Sequence, residues 1–109
     1  MNGSSPRPEV IANIQTDNDR VRVTEYVFSP GAETTWHQHQ WDYVVVPQTD
    51  GLLLIVARDN EESYVTLTRG ISYYREAGVE HNVINYGKEE LVFIEIEIKA
   101  HPISHKRGD

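Results

Sequence analysis

From Val10 onward the chain is a succession of short β-branched and aromatic runs, each closed by a turn signal, and none repeats its apolar residues at helical spacing. That pattern confines it to an all-β fold. Residues 20–28 alternate as a strand does and end at Ser29, Pro30 and Gly31, a turn. Residues 44–46 follow, and residues 47–51 turn the chain again. Residues 52–58 and 62–67 read as a hairpin joined through Asp59 and Asn60, which tolerate a tight turn. Residues 71–75, 81–86 and 91–99 complete the set. Strands this short, with turns every eight to twelve residues or so, argue for a sandwich or a barrel. In the last strand Val92, Ile94, Ile96 and Ile98 share one face, and Glu95, Glu97 and Lys99 share the other. The expectation is an aliphatic face on the core and a glutamate face toward water or a partner subunit.

A chain of 109 residues fits one domain. Residues 1–9, rich in Gly, Ser and Pro, read as a flexible arm. Residues 10–100 form the domain, and 101–109 a polar tail in which His101 and His105 are solvated. Ten basic against seventeen acidic side chains give a net charge of −7, with no basic stripe to offset it, which excludes nucleic acid as a partner. The longest apolar run, 52–57, is strand-sized and far below the roughly 20 residues of a membrane span, so no membrane partner is expected. With no cysteine, disulfides and thiolate ligands are excluded, and imidazole and carboxylate remain as metal donors. The start of the chain has no apolar signal-peptide core, so the expected location is cytoplasmic.

Histidines 37 and 39 are spaced i, i+2. On a strand both leave the same face and can grip one ion. His81, far along the chain, can close a triad from a neighbouring strand. The spacing resembles the cupin family, whose signatures read G-(5)-H-x-H-(3 or 4)-E-(6)-G and G-(5)-P-x-G-(2)-H-(3)-N. The second matches at Gly70, Gly78, His81 and Asn85, with Glu76 in place of proline. The first matches at Gly31, His37 and His39; its glutamate falls on Tyr43 or, with the longer spacing that ends at Gly51, on Val44. Asp42 lies one residue short, and one residue in a strand turns a side chain to the opposite face. Residues 36–47 and 78–85 are most similar to small bacterial single-domain cupins, some of them described as β-alanine degradation proteins.

The resemblance implies a jelly-roll barrel (double-stranded β-helix) with one divalent transition metal, such as Fe, Zn, Ni or Mn, on His37, His39 and His81. It also implies a small-molecule ligand in the barrel and a homodimer, paired through residues 91–99 and 10–14. Tyr43 is the catalytic candidate, donating a hydrogen bond or a proton to a metal-bound ligand; the alternative is an aromatic that fills the glutamate's volume. A phenol with a pKa near 10 is a poor ligand at pH 7, so Tyr43 should point into the barrel without binding the ion. Asn85 is expected to bond backbone, Arg75 to form an exposed salt bridge, and Trp36, Trp41, Tyr73, Tyr74 and Phe93 to fill the core or a dimer seam. Glu33, Asp42 and Glu80 are candidates to hold the second ring nitrogen of a histidine. The expected function is that of a small metalloenzyme acting on a small organic acid or amino-acid-derived substrate. Iron would suit a dioxygenase, and other metals a lyase or isomerase. The alternative is a non-catalytic module that binds or senses a small molecule.

Overall fold

Nine strands and no helix form among residues 6–99, which the computed structural model describes. The first part of the arm and the tail with His101 and His105 lie outside the described residues. The strands are β1 (Ile11–Asp17), β2 (Val21–Phe28), β3 (His37–Gln38), β4 (Asp42–Pro47), β5 (Gly51–Ala57), β6 (Glu62–Leu67), β7 (Tyr73–Arg75), β8 (Glu80–Asn85) and β9 (Leu91–Ile98). They build two sheets, β1-β2-β9-β4-β7 and β3-β8-β5-β6, in which every named pairing is antiparallel. This is a jelly-roll barrel.

Local chemistry explains the joints. The β5–β6 hairpin closes with Asn60 at φ 67°, a left-handed conformation that Asn tolerates, and the Ala57 N–H donates to the Glu61 carbonyl at 2.8 Å. Gly51 is required by packing, because a Cβ there would run into the Leu91 side chain. The inner part of the arm is tied down rather than loose: Val10 N–H donates to Glu33 O at 3.0 Å, and Glu33 N–H to Pro8 O at 2.9 Å.

Both sheets face one core of Phe28, Val45, Leu53, Leu67, Leu91 and Phe93. Phe28 and Phe93 meet at a centroid distance of 5.4 Å. Burying each such side chain contributes about 1.5–3 kcal/mol.

Strand β9 corrects the expectation from its alternation. Leu91, Phe93 and Glu95 are buried on the barrel side, whereas Val92, Ile94 and Ile96 are only partly covered and Ile98 is exposed. Register fixes this: Phe93 lies opposite Tyr26 and Pro47, and Glu95 opposite Thr24 and Val45, all inward residues. The glutamate face is therefore the inner one. Glu95 is 6% exposed, so it is not solvated.

Candidate metal centre

His37 and His81 lie directly opposite each other across the β3–β8 pair. Just past β3, His39 is clasped by the loop before β8: its N–H donates to Val79 O at 3.0 Å, and its carbonyl accepts from Gly78 N–H at 2.8 Å. Gly78 sits at φ 97°, a conformation that side-chain-bearing residues rarely adopt. A glycine of the second signature thus holds a histidine of the first.

The three rings converge. Their centroids are 4.7, 4.8 and 5.2 Å apart, and one ring nitrogen of each lies within 4.8 Å of the others. Nε2 of His37 and Nε2 of His39 are separated by 3.0 Å. His37 is oriented from behind, its Nδ1 being 3.0 Å from the Thr35 carbonyl. A proton on Nδ1 makes that bond and leaves the Nε2 lone pair facing its neighbours. The same carbonyl accepts from the Thr34 hydroxyl at 2.9 Å, and that hydroxyl oxygen accepts from Val83 N–H at 3.1 Å. Thr35 adopts φ 69°, an outlier for a β-branched residue costing of order 1–3 kcal/mol. The strain falls on the residue whose carbonyl orients His37.

Two features test whether these residues suit a metal. Nε2 of His81 is buried and finds no hydrogen-bond partner among the described residues. An orphaned buried acceptor costs about 1–3 kcal/mol, which a cation would repay in full. Burial, and then the other rings, push His81 down to about 3 and His39 down to about 4, so both imidazoles are neutral, the form that coordinates. The donor set fits a divalent metal.

Tyr43 points into the barrel, 2% exposed, with its ring stacked on His39 at 3.9 Å and 19°. Burial, followed by the nearby Glu95 carboxylate, raises its hydroxyl well above the ordinary range. Asp42 faces away. It pairs with Ile98 on the outer face and accepts from Tyr74 O–H at 2.8 Å and Ala77 N–H at 2.9 Å.

A cavity of about 320 Å³ adjoins the cluster, lined among others by Val10, Tyr26, His37, Val83, Phe93 and Glu95. Asn85 is structural: its Nδ2 donates to the carbonyls of Phe28, Ser29 and Glu89, and its Oδ1 accepts from Gly87 N–H. No described residue forms an ion pair with Arg75. Its guanidinium instead lies 5.5 Å from the Tyr73 ring.

Sequence reasoning missed Thr35 and Glu95. The residues it offered as histidine partners are engaged elsewhere, Glu33 by Asn82 at 2.8 Å and Glu80 by Arg58 at 3.4 Å. The signal for Glu95 was its shared parity with Leu91 and Phe93. Among the described residues no helix is long and apolar enough to cross a membrane.

A barrel with three inward imidazoles from two signatures defines a class. Residues 24–97 match the family described as the cupin domain, and the chain belongs to it. It is 52% identical to the β-alanine degradation protein BauB of Pseudomonas aeruginosa, over 87% of this chain and 99% of that one. It is 55% identical to a cupin domain of Bordetella pertussis Tohama I, with a TM-score of 0.85 over 89% of this chain and all of that one. An RmlC-like cupin of Methanocaldococcus jannaschii shares the fold at 13% identity, with a TM-score of 0.70 over 91% of this chain and 85% of that one.

Proposed function

We propose that the protein is a small metalloenzyme that holds one divalent metal on His37, His39 and His81. Its substrate would be a small organic acid or amino-acid-derived molecule in the adjoining cavity. The observation that carries this reading is the buried, partnerless Nε2 of His81 directly across from His37. Similarity to a protein named for β-alanine degradation supports the substrate class. Three imidazoles suit Fe, Zn, Ni or Mn, and such an ion supplies Lewis-acid chemistry or, as iron, a site for dioxygen. The chain's own residues orient the donors, through Thr35 for His37 and the Gly78 loop for His39. Val10, Val83 and Phe93 give the cavity apolar walls. Tyr43 holds a protonated phenol against His39, from which it can donate a hydrogen bond to a bound ligand.

His81→Ala removes an imidazole that no motif carboxylate can replace. After mild chelation it should retain far less metal than His101→Ala, measured by elemental analysis; equal retention would remove the triad. Oxygen uptake then separates an iron dioxygenase from a lyase or isomerase. The second reading, a ligand-binding module without turnover, is favoured by the flat stacking of Tyr43 on His39, which is also how a packing residue sits. Ligand affinity with no product would select it.

Homodimerisation rests on the outer face of the five-stranded sheet. Val23, Val27, Val44, Val46, Ile94 and Ile96 share that face with Glu25, which lies opposite Ile94 and accepts from Asn13 Nδ2 at 3.1 Å, and with Asp42 at its edge. Two copies can bury its aliphatic residues against each other as an isologous pair. Beside it, β1 is exposed along its whole length, with Ile11 and Ile14 about 60% exposed (59% and 61%), as a strand awaiting cover would be. Light scattering at micromolar concentration should give a dimer and Ile96→Glu a monomer; a monomeric wild type would remove the proposal.

A further inference from the structure

Among the described residues Glu95 is the one buried carboxylate on the inner wall of the barrel at the metal centre, flanked across the sheet by Thr24 and Val45 and with the half-buried Glu97 within 4.8 Å. No described lysine or arginine pairs with it; the neutral ring of His39 lies beside it, with Nδ1 3.9 Å from Glu95 Oε1. A carboxylate buried in such a place, with no cation against it and Glu97 as a like-charged neighbour, is costly, and an aliphatic side chain would pack there without that cost. Its placement becomes intelligible from the other end of the His39 ring. Nε2 of His39 faces His37, so Nδ1 is the nitrogen left to carry the proton. Closing the gap by about 1 Å, or bridging it with one water, makes an Nδ1–H···carboxylate hydrogen bond. His37 has the equivalent support in the Thr35 carbonyl. Tyr43 fixes the plane of the His39 ring by stacking but leaves its in-plane rotation and tautomer open.

We propose that Glu95 is a positioning residue of the metal centre, accepting the Nδ1 proton of His39 and so committing Nε2 to the ion. The inference rests on the three-histidine reading. It relocates the carboxylate that the first signature lacks: at Tyr43 a glutamate would face the ion, whereas β9 sets Glu95 behind the ligand ring. Such outer partners set ligand orientation and basicity, and their loss costs about 10–100-fold in metal affinity.

Cobalt(II) is the probe, with affinity measured by chelator competition in full-length wild type, Glu95→Ala, Glu95→Gln and His81→Ala. Glu95→Ala should weaken binding about 10–100-fold. Glu95→Gln, nearly isosteric and still offering an acceptor oxygen, should lose less. The visible cobalt spectrum should keep its shape in both, because no ligand to the ion is lost. The metal-free melting temperature of Glu95→Gln should equal or exceed wild type, while its rise on adding cobalt shrinks. A purely structural glutamate would lower the metal-free value and leave that rise intact, which overturns the proposal. A spectrum showing a lost ligand overturns it too, making Glu95 a direct ligand. If Glu95→Ala binds as wild type while His81→Ala does not, the positioning role falls and the triad stands. If both bind as wild type, the triad itself falls.

Discussion

The two ends of the barrel differ in what their buried residues leave unsatisfied. At one end Phe28, Leu53, Leu67 and Leu91 close the core, and the buried amide of Asn85 makes four hydrogen bonds to backbone around it. At the other end His81 leaves a ring nitrogen without a partner, Glu95 lacks a cationic partner, and Thr35 holds a strained backbone. The first end is completed by the chain itself. The second is complete only with something added, and that contrast locates function more firmly than any single residue. Stability and binding should therefore separate under mutation.

The largest expected effect is at the closed end. Phe28→Ala should lower the unfolding free energy by about 3–5 kcal/mol in urea titrations, through lost burial and a cavity. Its folded fraction should still bind metal; a matching loss of affinity would mean the two ends are not independent. Asn85→Ala strands the backbone groups that the amide now serves and should cost about 1–3 kcal/mol, again with metal affinity unchanged.

The open end should reveal itself through pH in the metal-free protein. Below pH 6.5 unfolded histidines take up protons that His39, at about 4, and His81, at about 3, refuse, so stability falls as pH falls. Glu95, pushed up to about 8 by burial from an ordinary 4.5, keeps a proton that the unfolded chain releases, so its contribution falls as pH rises from 4.5 to 8. Glu97, also raised by burial, acts in the same direction above 4.5, so the clean window is pH 6.5 to 8, where the two histidines are neutral in both folded and unfolded chains. The melting temperature should therefore decline from pH 6.5 to 8, and Glu95→Gln should lessen the decline. A wild-type profile flat from 6.5 to 8 would show that Glu95 is not held as described.

Smallest of all is Tyr43→Phe. It removes a hydroxyl and keeps the ring on His39, so metal content should not change and stability should stay within about 1 kcal/mol. Ligand binding or turnover should change if the phenol touches the ligand. An emptied metal site would instead make Tyr43 a ligand and end the three-histidine description.

Much of this was written in the order of the residues. The strand runs, the Asp59–Asn60 turn and the cupin spacing depend on neighbours a few positions apart, where backbone preference and alternation act directly. His37 and His39 converge as their spacing suggested, although only His37 lies in β3 and the Gly78 loop holds His39, and Asp42 faces away as strand alternation requires. Other features depend on which strands lie side by side. Both faces of β9 carry apolar residues, so alternation alone could not choose between them; Tyr26 and Pro47 opposite Phe93 decided it. That choice turned Glu95 from a surface charge into a buried neighbour of His39. The Thr35 carbonyl behind His37 belongs to a left-handed backbone at a threonine, which no propensity anticipates. Sequence by itself determined the strands and the three imidazoles, because local periodicity and spacing encode them. Tertiary structure decided what stands behind those imidazoles, because register between distant strands sets which polar group a buried nitrogen meets.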